Sequence, residues 1–203
     1  MAGLLLTFGW TNHRPPYFRP MKFSDIPQRI GGGNYQVNIG LDGLEKRLTN
    51  WENDDYYALQ LVPDFQRGHV WTPQQQTDFV EYFLSGGKSG LTIYFNKPSW
   101  QGAGSGPYAY DDFVCVDGLQ RLTALRGFMH NEVRAYGQLY AEFGQEIGAA
   151  RNSESLVFNI NSLQTRAEVL TWYLQMNSGG TPHTVPEIAR VQVLLAQERG
   201  LAV

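Results

Sequence analysis

Hydrophobic and polar residues repeat with two different periods along the chain, and each period predicts a different kind of element. Residues 35–39 alternate as a short strand does, whereas Leu41, Leu44 and Leu48 recur at the spacing of one helix face. The same patterns predict further strands at 57–62, 91–95, 113–116, 133–136 and 156–160, and further helices after Thr72, after Gly118, at 163–176 and at 186–198. The pattern shows no internal repeat and no second domain with a core of its own.

The helix after Thr72 has the most complete boundary signals. Thr72 as the N-cap, Pro73 at the first helical position and Gln75 three residues after the cap form a capping-box pattern. Gly86 and Gly87 follow the last apolar residues of this segment. Because glycine commonly follows the end of a helix, we predict that the helix ends there.

Residues 1–34 differ from the rest of the chain and are predicted to form an N-terminal arm, with the domain proper at 35–203. The arm is rich in proline, glycine and aromatic residues. It also holds a local set of basic residues, namely Arg14, Arg19, Lys22 and Arg29. Such an arm could stack on and neutralise single-stranded DNA, or it could only pack against protein. Both interpretations stay open.

Composition and charge exclude several classes of protein. The chain has 203 residues, of which 42% are hydrophobic and 17% charged, and this excludes a disordered, collagen-like or coiled-coil protein. The formal net charge is −3, so no general positive field attracts nucleic acid or an anionic membrane. A lone cysteine, Cys115, excludes a disulfide framework and a cysteine-rich zinc site. No stretch has the length and apolarity of a membrane span, so we expect a soluble, cytoplasmic protein.

The most informative stretch is a strand that runs directly into a helix. The apolar strand at 113–116 is followed by Asp117 and Gly118, and then by a helix whose first turn carries Gln120 and Arg121. Backbone N–H groups at a helix N-terminus favour an anion, and glycine permits the sharp turn before them. The pattern predicts a phosphate site with Arg121 as a forked donor. The alternative is a structural turn in which Asp117 caps the helix and Arg121 lies on a solvated face.

A second Gln-Arg pair, Gln66 and Arg67, lies in the predicted loop at 63–71. Amide and guanidinium groups make directional hydrogen bonds, so this pair suits a base edge or a phosphate. The alternative is that Arg67 pairs with a nearby acid such as Asp64 or Asp78, while the aromatic residues of the loop anchor it in the core.

A third cluster follows the helix at 163–176. Asn177 is succeeded by Gly179 and Gly180, where the chain can approach a ligand closely, although a plain helix C-cap is the alternative. The chain has no P-loop sequence, and its histidines lack metal-ligand spacing, so we expect neither a P-loop NTPase nor a zinc enzyme. Cys115 lies in an apolar strand and is interpreted as a core residue.

Together, these clusters resemble the N-terminal domain of the GmrSD-type restriction endonucleases, which is similar to the ParB/sulfiredoxin superfamily. The resemblance covers roughly residues 35–200 and rests on three motifs in the family's order: Val62-Pro63-x-Phe65-Gln66-Arg67-x-x-Val70-Trp71, Val116-Asp117-Gly118-Leu119-Gln120-Arg121-Leu122-Thr123-Ala124-Leu125 and Asn177-x-Gly179-Gly180-Thr181-Pro182. The family's loop usually reads Asp-Gly-Gln-Gln-Arg, and Leu119 replaces the middle residue here. The role of that side chain is therefore not carried over.

The resemblance implies an α/β (α+β) fold, ParB/sulfiredoxin-like, with a small mixed sheet, flanking helices and a strand-turn-helix phosphate loop. It also implies a nucleoside triphosphate with Mg²⁺ or another divalent ion as cofactor, and NTP hydrolysis that controls action on DNA. The implied catalytic residues are Asp117, Gln120 and Arg121, with Asp117 also as metal ligand, and the implied nucleotide-binding residues are Gln66, Arg67, Gly118, Leu119, Thr123, Asn177, Gly179 and Gly180.

Three functions remain as hypotheses. We favour an NTP hydrolase that acts in DNA modification, restriction or anti-defence in a bacterial or phage-infected cell. A non-hydrolysing module that senses a nucleotide or nucleic acid and acts through a partner is the first alternative, and a phosphotransferase acting on DNA or a small molecule is the second. The family's restriction enzymes continue into a His-Asn-His nuclease domain, and this chain shows no such cluster. We therefore expect no DNA cleavage by this chain alone, and DNA and a separate effector or nuclease protein are its candidate partners.

Overall fold

A computed structural model of the chain describes residues 22–68, 70–100, 110–147, 154–177 and 185–200. Most of the predicted arm lies outside these residues, as do Gly179, Gly180 and the second half of the Gly/Ser-rich loop that follows the strand at 91–95. Among the described helices, none combines the length and the apolar character that crossing a bilayer requires.

The described elements are four strands and five α-helices, with two short 3-10 segments. The strands are β1 Tyr35–Gly40, β2 Thr92–Asn96, β3 Val114–Asp117 and β4 Ser155–Asn161. The helices are α1 Leu41–Asn53, α2 Pro73–Leu84, α3 Leu119–Met129, α4 Arg166–Asn177 and α5 Val185–Glu198, and the 3-10 segments are Phe23–Asp25 and Tyr140–Glu146. The predicted mixed α/β fold with a small sheet is confirmed.

The strands form one mixed sheet in the order β1-β4-β2-β3. β1 and β4 are antiparallel, β4 and β2 are parallel, and β2 and β3 are antiparallel. The end of β3 therefore lies beside the start of β2. The register shifts between Tyr94 and Phe95 because Tyr94 pairs with Asp117 whereas Phe95 pairs with Cys115. Such a bulge re-aims side chains, and here it lies at the end of the sheet where β3 turns into α3.

The sheet separates two hydrophobic clusters. The first cluster packs α1, α2 and α3 against one face, and its centre is Trp51, whose ring contacts those of Phe95, Phe113 and Phe158. The second packs α4, α5 and the loop residue Phe65 against the other face. Side chains of β3 alternate between the two, since Cys115 belongs to the first cluster and Val114 and Val116 to the second. Both faces of β3 are thus buried, as its uninterrupted apolar sequence suggests.

The strand predicted at 57–62 is wrong except for one residue. Only Gln60 forms a bridge, parallel to Val114, with its N–H donating to the Phe113 carbonyl at 2.8 Å. Ala58 has a positive φ of 44°, which no regular strand contains. The preceding turn is held by Asp54, whose carboxylate accepts from the Tyr56 N–H at 2.8 Å. The alternating side chains predicted a strand, but the local turn hydrogen bonds determine the backbone conformation here.

The prediction of a strand at 133–136 is also wrong. Ala135 and Gln138 exchange two backbone hydrogen bonds of 2.9 Å, which closes a tight turn rather than a ladder. Tyr136 and Gly137 both have positive φ, at 50° and 77°. Val133 and Ala135 pack in the first hydrophobic cluster, although the segment is a turn and not a strand.

An ion-pair network joins α1 to α3. The Arg126 guanidinium donates to Glu45 at 2.8 and 3.0 Å and to Glu52 at 3.1 Å. His130 Nε2 lies 3.6 Å from Glu45 Oε2, the oxygen that also accepts from Arg126 Nε. The network fixes α1 against α3, the helix whose N-terminus lies at the end of β3.

Replacing Thr72 with alanine tests the predicted cap of α2, which the structure confirms. The Gln75 N–H donates to Thr72 Oγ1 at 3.3 Å, and Gln75 Oε1 accepts from the Thr72 N–H at 2.9 Å. Thr72→Ala should lower the free energy of unfolding by about 1 kcal/mol in urea titrations. Thr72→Ser keeps the hydroxyl and should retain most of that stability. An alanine variant as stable as the wild type would contradict the assigned cap.

Glu45 makes the stability depend on pH. Burial raises the pKa of Glu45, but hydrogen bonds and charge from Arg126 outweigh it and hold the pKa below its ordinary value of 4.5. The ionised form thus favours the folded state, and this stabilisation is lost as the pH falls through the lowered folded-state pKa. Glu45→Gln should be less stable than the wild type at neutral pH, and the difference should shrink on acidification from about pH 5 to about pH 3. Urea midpoints across that range give the test, and a constant difference would contradict it.

Candidate functional site

A cavity of about 630 Å³ opens where β3 ends and β2 begins. It lies between the first turn of α3, the loop after Pro63 and the C-terminal end of α4. The described residues that line it include Gln66, Arg67, Asp117, Gly118, Leu119, Gln120, Arg121 and Asn177, together with a wall of aromatic residues. The sequence motifs that lie far apart in the chain therefore meet at one place.

Gly118 alone connects β3 to α3. Its φ is 111°, a value that L-residues rarely adopt, and a Cβ built on it would lie 2.5 Å from Ile93 Cδ1. Both backbone conformation and space thus require glycine here. No side chain caps the N-terminus of α3, so the alternative that Asp117 is the N-cap is wrong. The first N–H groups of a helix have no partner within it, and those of α3 lie beside Gly118 at the cavity.

Arg121 ties the ends of β2 and β3 together. Its Nη1 donates to the carbonyls of Gly90 and Thr92, the latter at 2.8 Å, and its Nη2 donates to Asp117 Oδ2 at 2.6 Å. The side chain is 16% exposed, so the alternative of a solvated Arg121 is wrong. Nη1 contacts two backbone carbonyls, and within the described parts of the chain no further partner is found for Nε or for the second Nη2 hydrogen.

Gln120 holds the loop that carries the second Gln-Arg pair. Its Oε1 accepts from the N–H groups of Val70 and Trp71 at 2.9 and 3.1 Å, and its Nε2 donates to the Gly68 carbonyl at 3.1 Å. A side chain on α3 therefore completes the backbone hydrogen bonds of a segment that has no ladder partner. This contact fixes the loop relative to the turn at Gly118.

α5 holds the same loop from the other side. Arg190 donates to the carbonyls of Phe65 and Gln66 at 3.1 and 3.2 Å, and Arg67 lies 3.5 Å from Glu187. The alternative that Arg67 pairs with Asp64 or Asp78 is wrong, because Asp64 pairs with Arg166 at 2.6 Å and Asp78 accepts from Gln74. Glu187, the partner of Arg67, lies 120 residues away in the sequence, so the local pattern of charges could not predict this pair.

Gln66 is buried, with 8% exposure, and its amide is oriented by two backbone carbonyls. Nε2 donates to the carbonyls of Cys115 and Val116, at 3.2 Å each. Oε1 is buried and has no hydrogen-bond partner among the described residues. The amide nitrogen of Gln66 is thus hydrogen-bonded to β3, whereas its amide oxygen has no partner among the described residues.

Aromatic residues form much of the remaining wall of the cavity, and sequence reasoning assigned them no part in the site. Trp71 and Phe79 pack with ring centroids 5.5 Å apart, and Tyr82, Tyr94 and Tyr173 also line the cavity. Burial raises the pKa of Tyr173 to about 12, with the nearby charges of Arg67, Glu187, Arg190 and Asp117 as smaller contributions. Tyr173 therefore remains a neutral phenol at physiological pH.

A sequence model of the family described as GmrSD restriction endonuclease, N-terminal domain, matches residues 46–153, more than half of the chain. The chain belongs to this family. The matched segment contains both Gln-Arg motifs and the Gly118 turn, whereas the Asn177 cluster and α5 lie beyond it. A comparison with curated proteins found no match. Family membership confirms the resemblance drawn from the motifs and supports a role connected with DNA restriction.

Within this GmrSD N-terminal domain, not every predicted site residue reaches the cavity. Thr123 lies one turn further along α3, where its hydroxyl donates to the Leu119 carbonyl at 2.9 Å, and it is not among the described lining residues. Leu119 is 6% exposed, so it contributes its backbone more than its side chain. Asn177 lines the cavity and donates to the Tyr173 carbonyl at 2.8 Å. Gly179 and Gly180 lie outside the described residues.

The donor set of this GmrSD domain fits a metal that arrives with phosphates rather than one held in a protein cage. Among the described residues, no group of three or more His, Cys, Asp or Glu side chains is arranged to hold an ion. Mg²⁺ commonly takes one or two carboxylates plus substrate phosphates and waters. Asp117, with 39% exposure at the cavity and one oxygen engaged by Arg121, offers such a carboxylate. Cys115 offers no thiolate, because burial and the Asp117 charge raise its pKa to about 12.

Replacing Gln120 with methionine tests its hold on the loop. Methionine keeps the length of the side chain but leaves the N–H groups of Val70 and Trp71 and the Gly68 carbonyl without these partners. Hydrogen exchange at the Val70 and Trp71 amides should accelerate about five- to tenfold, with α1 amides unchanged. Gln120→Glu retains an acceptor for both N–H groups and should retain most of the protection. Unchanged exchange in Gln120→Met would contradict the assigned contact.

Proposed function

We propose that the cavity binds a nucleoside triphosphate together with a divalent cation and hydrolyses it, in the service of DNA restriction or modification. The observation that carries this proposal is the convergence of the uncapped α3 N-terminus, Arg67 and the Arg121–Asp117 pair on one cavity with an aromatic wall. Each of these features alone is common in proteins. Their meeting at the end of β3 supports a phosphate-bearing ligand.

The phosphates would lie at the α3 N-terminus. Backbone N–H groups there carry the positive end of the helix dipole, and Gly118 lets an anion approach without obstruction by a side chain. Nε and the second Nη2 hydrogen of Arg121 add charged donors on one side. Because the Gly90, Thr92 and Asp117 contacts already fix the guanidinium, those donors are oriented before the ligand arrives.

Arg67 would supply the second cationic contact. Its Nη1 contact with Glu187 is long, at 3.5 Å, and the side chain is 21% exposed. It has no other hydrogen bond among the described residues, so most of its donors are available to a phosphate or to a ribose. The contacts of Gln120 and Arg190 with the loop backbone keep Arg67 at this position.

Local charge supports a divalent cation. Arg67 pairs with Glu187 and Arg121 pairs with Asp117, so these charges cancel around the cavity. A triphosphate carries several negative charges that the arginines neutralise only in part. When bound, a divalent ion would offset the rest and polarise a phosphoryl oxygen. Asp117 would hold that ion or orient a water, and aromatic residues of the cavity wall would contact the base.

Phosphate release from ATP, GTP, CTP and UTP, measured with and without Mg²⁺, tests the hydrolysis. One nucleotide should be turned over, and Asp117→Asn should abolish that turnover while calorimetry still detects binding. Binding without phosphate release would favour a sensing module that acts through a partner. Transfer of a labelled γ-phosphate to DNA or to another acceptor would favour a phosphotransferase. A wild-type protein that binds none of the four would overturn the proposal.

Replacing Arg67 with methionine should weaken nucleotide binding about tenfold to a hundredfold, as the loss of a charged hydrogen bond does. Isothermal titration calorimetry measures the change. Arg47→Met is the matched control, because Arg47 is an exposed arginine on α1 that lies over the Trp51 ring and does not line this cavity. Equal affinities of the Arg67 and Arg47 variants would remove Arg67 from the site.

A further inference from the structure

We infer that Gln66 recognises a hydrogen-bond donor on the nucleoside part of the ligand, through its buried amide oxygen. The inference rests on the proposed function and deepens it, because it assigns the ligand class: a phosphate compound with a sugar or base N–H or O–H group, not a bare polyphosphate. Gln66 is then the residue that distinguishes a nucleotide from the anions that share its phosphate chemistry.

The orientation of the Gln66 amide follows from its two partners. Nε2 lies 3.2 Å from both the Cys115 and the Val116 carbonyl oxygens. The reversed amide would place an oxygen against two acceptors, which is unfavourable, so the nitrogen belongs where it is. Both amide hydrogens are thereby engaged. Oε1 is left as the group that can interact with a ligand.

Oε1 is an acceptor without a donor. It is buried, Gln66 as a whole is 8% exposed, and no hydrogen-bond partner exists for this atom among the described residues. Buried polar atoms in folded proteins are nearly always paired, since an unpaired one loses its hydration without compensation. Gln66 also lines the cavity. An exception at such a place indicates a group that a ligand completes.

The side chain has little freedom to find another partner. The Gln66 N–H donates to the Pro63 carbonyl at 2.9 Å, and its own carbonyl accepts from Arg190 at 3.2 Å. Two residues further on, Gln120 fixes the Gly68 carbonyl. The backbone is held on both sides, and the amide nitrogen is held by β3. The acceptor is therefore held in place before any ligand binds, and because its own surface is covered, a donor reaches it only when the groups that cover it move aside.

The group that pairs with Gln66 Oε1 must be a hydrogen-bond donor, and the parts of a nucleotide differ in whether they offer one. Ionised phosphate oxygens are acceptors only, and they would repel a carbonyl-type oxygen. Sugar hydroxyls and the N–H groups of bases are donors. The surroundings agree with this choice, because Phe65, Val116 and Tyr173 form an apolar cluster at Gln66, while the charged donors lie at Arg67 and at the α3 N-terminus. The nucleoside would thus lie toward Gln66 and the phosphates toward α3.

Calorimetric titration of the full chain with a nucleoside triphosphate and with inorganic tripolyphosphate tests the inference. The wild type should bind the nucleotide at least about tenfold more tightly than tripolyphosphate. Gln66→Met, which keeps the length of the side chain but removes the whole amide, both the acceptor and the Nε2 donor, should weaken nucleotide binding about tenfold and leave tripolyphosphate binding unchanged. Gln74→Met is the control, because Gln74 is an exposed amide on α2 outside the cavity.

Several results would overturn the inference while leaving the proposed function standing. These are equal wild-type affinity for nucleotide and tripolyphosphate, or an equal loss of both in Gln66→Met. Failure of the wild type to bind either ligand would instead overturn the proposed function itself.

A ligand series on the wild type keeps the test valid if Gln66→Met does not fold. The series consists of nucleotides that lack one sugar hydroxyl and of nucleotides with each of the four bases. At least one of these changes should weaken binding to the wild type about tenfold. A sugar change with this effect identifies a hydroxyl as the donor, whereas a difference among bases identifies an N–H group. A series in which no change of sugar or base alters affinity would contradict the inference.

Discussion

Gly118 is the constraint on which the site depends, because one residue must turn the buried strand β3 into the helix α3. A left-handed backbone and the close approach of Ile93 leave room for no side chain there. With a longer connection, Asp117 would separate from Arg121, and the helix N-terminus would move away from the end of the sheet. The bulge opposite Tyr94 and the Arg121 contacts with Gly90 and Thr92 secure this geometry from the side of β2. The anion binding that we propose for the site rests on backbone placement first and on side chains second.

The loop at 63–71 has no secondary structure of its own, yet it is held as firmly as an element. Gln120 on α3 satisfies its backbone on one side, and Arg190 on α5 does so on the other. Phe65 anchors it in the second cluster, against Tyr173 at a centroid distance of 5.3 Å. The loop thus joins the two hydrophobic clusters at the edge of the sheet. Arg67 and Gln66 owe their positions to residues that are distant in sequence.

Sequence reasoning predicted much of the fold and many of the polar residues that line the cavity, but few of the contacts. The boundaries of α2 were predictable because a capping box and a glycine after the last helical turn are local signals. The sharp turn at Gly118 was predictable because the predicted strand and the predicted helix follow each other with no other residue available for the turn. The segments 57–62 and 133–136 failed because alternation does not reveal turns with positive φ. The burial of Arg121, the Arg67–Glu187 pair and the orphan oxygen of Gln66 depend on contacts across the fold. No local pattern encodes which donors a long side chain uses.

The burial of Cys115 in the edge strand β3 has a chemical consequence. Its thiol is fully enclosed, its pKa lies far above neutrality, and the sequence contains no second cysteine. Folded chains therefore present no reactive sulfur to one another, and oxidation cannot link them. A disulfide-linked dimer on a non-reducing gel would therefore identify molecules in which β3 had left the sheet. Under non-reducing conditions, oxidation of this one sulfur reports transient unfolding.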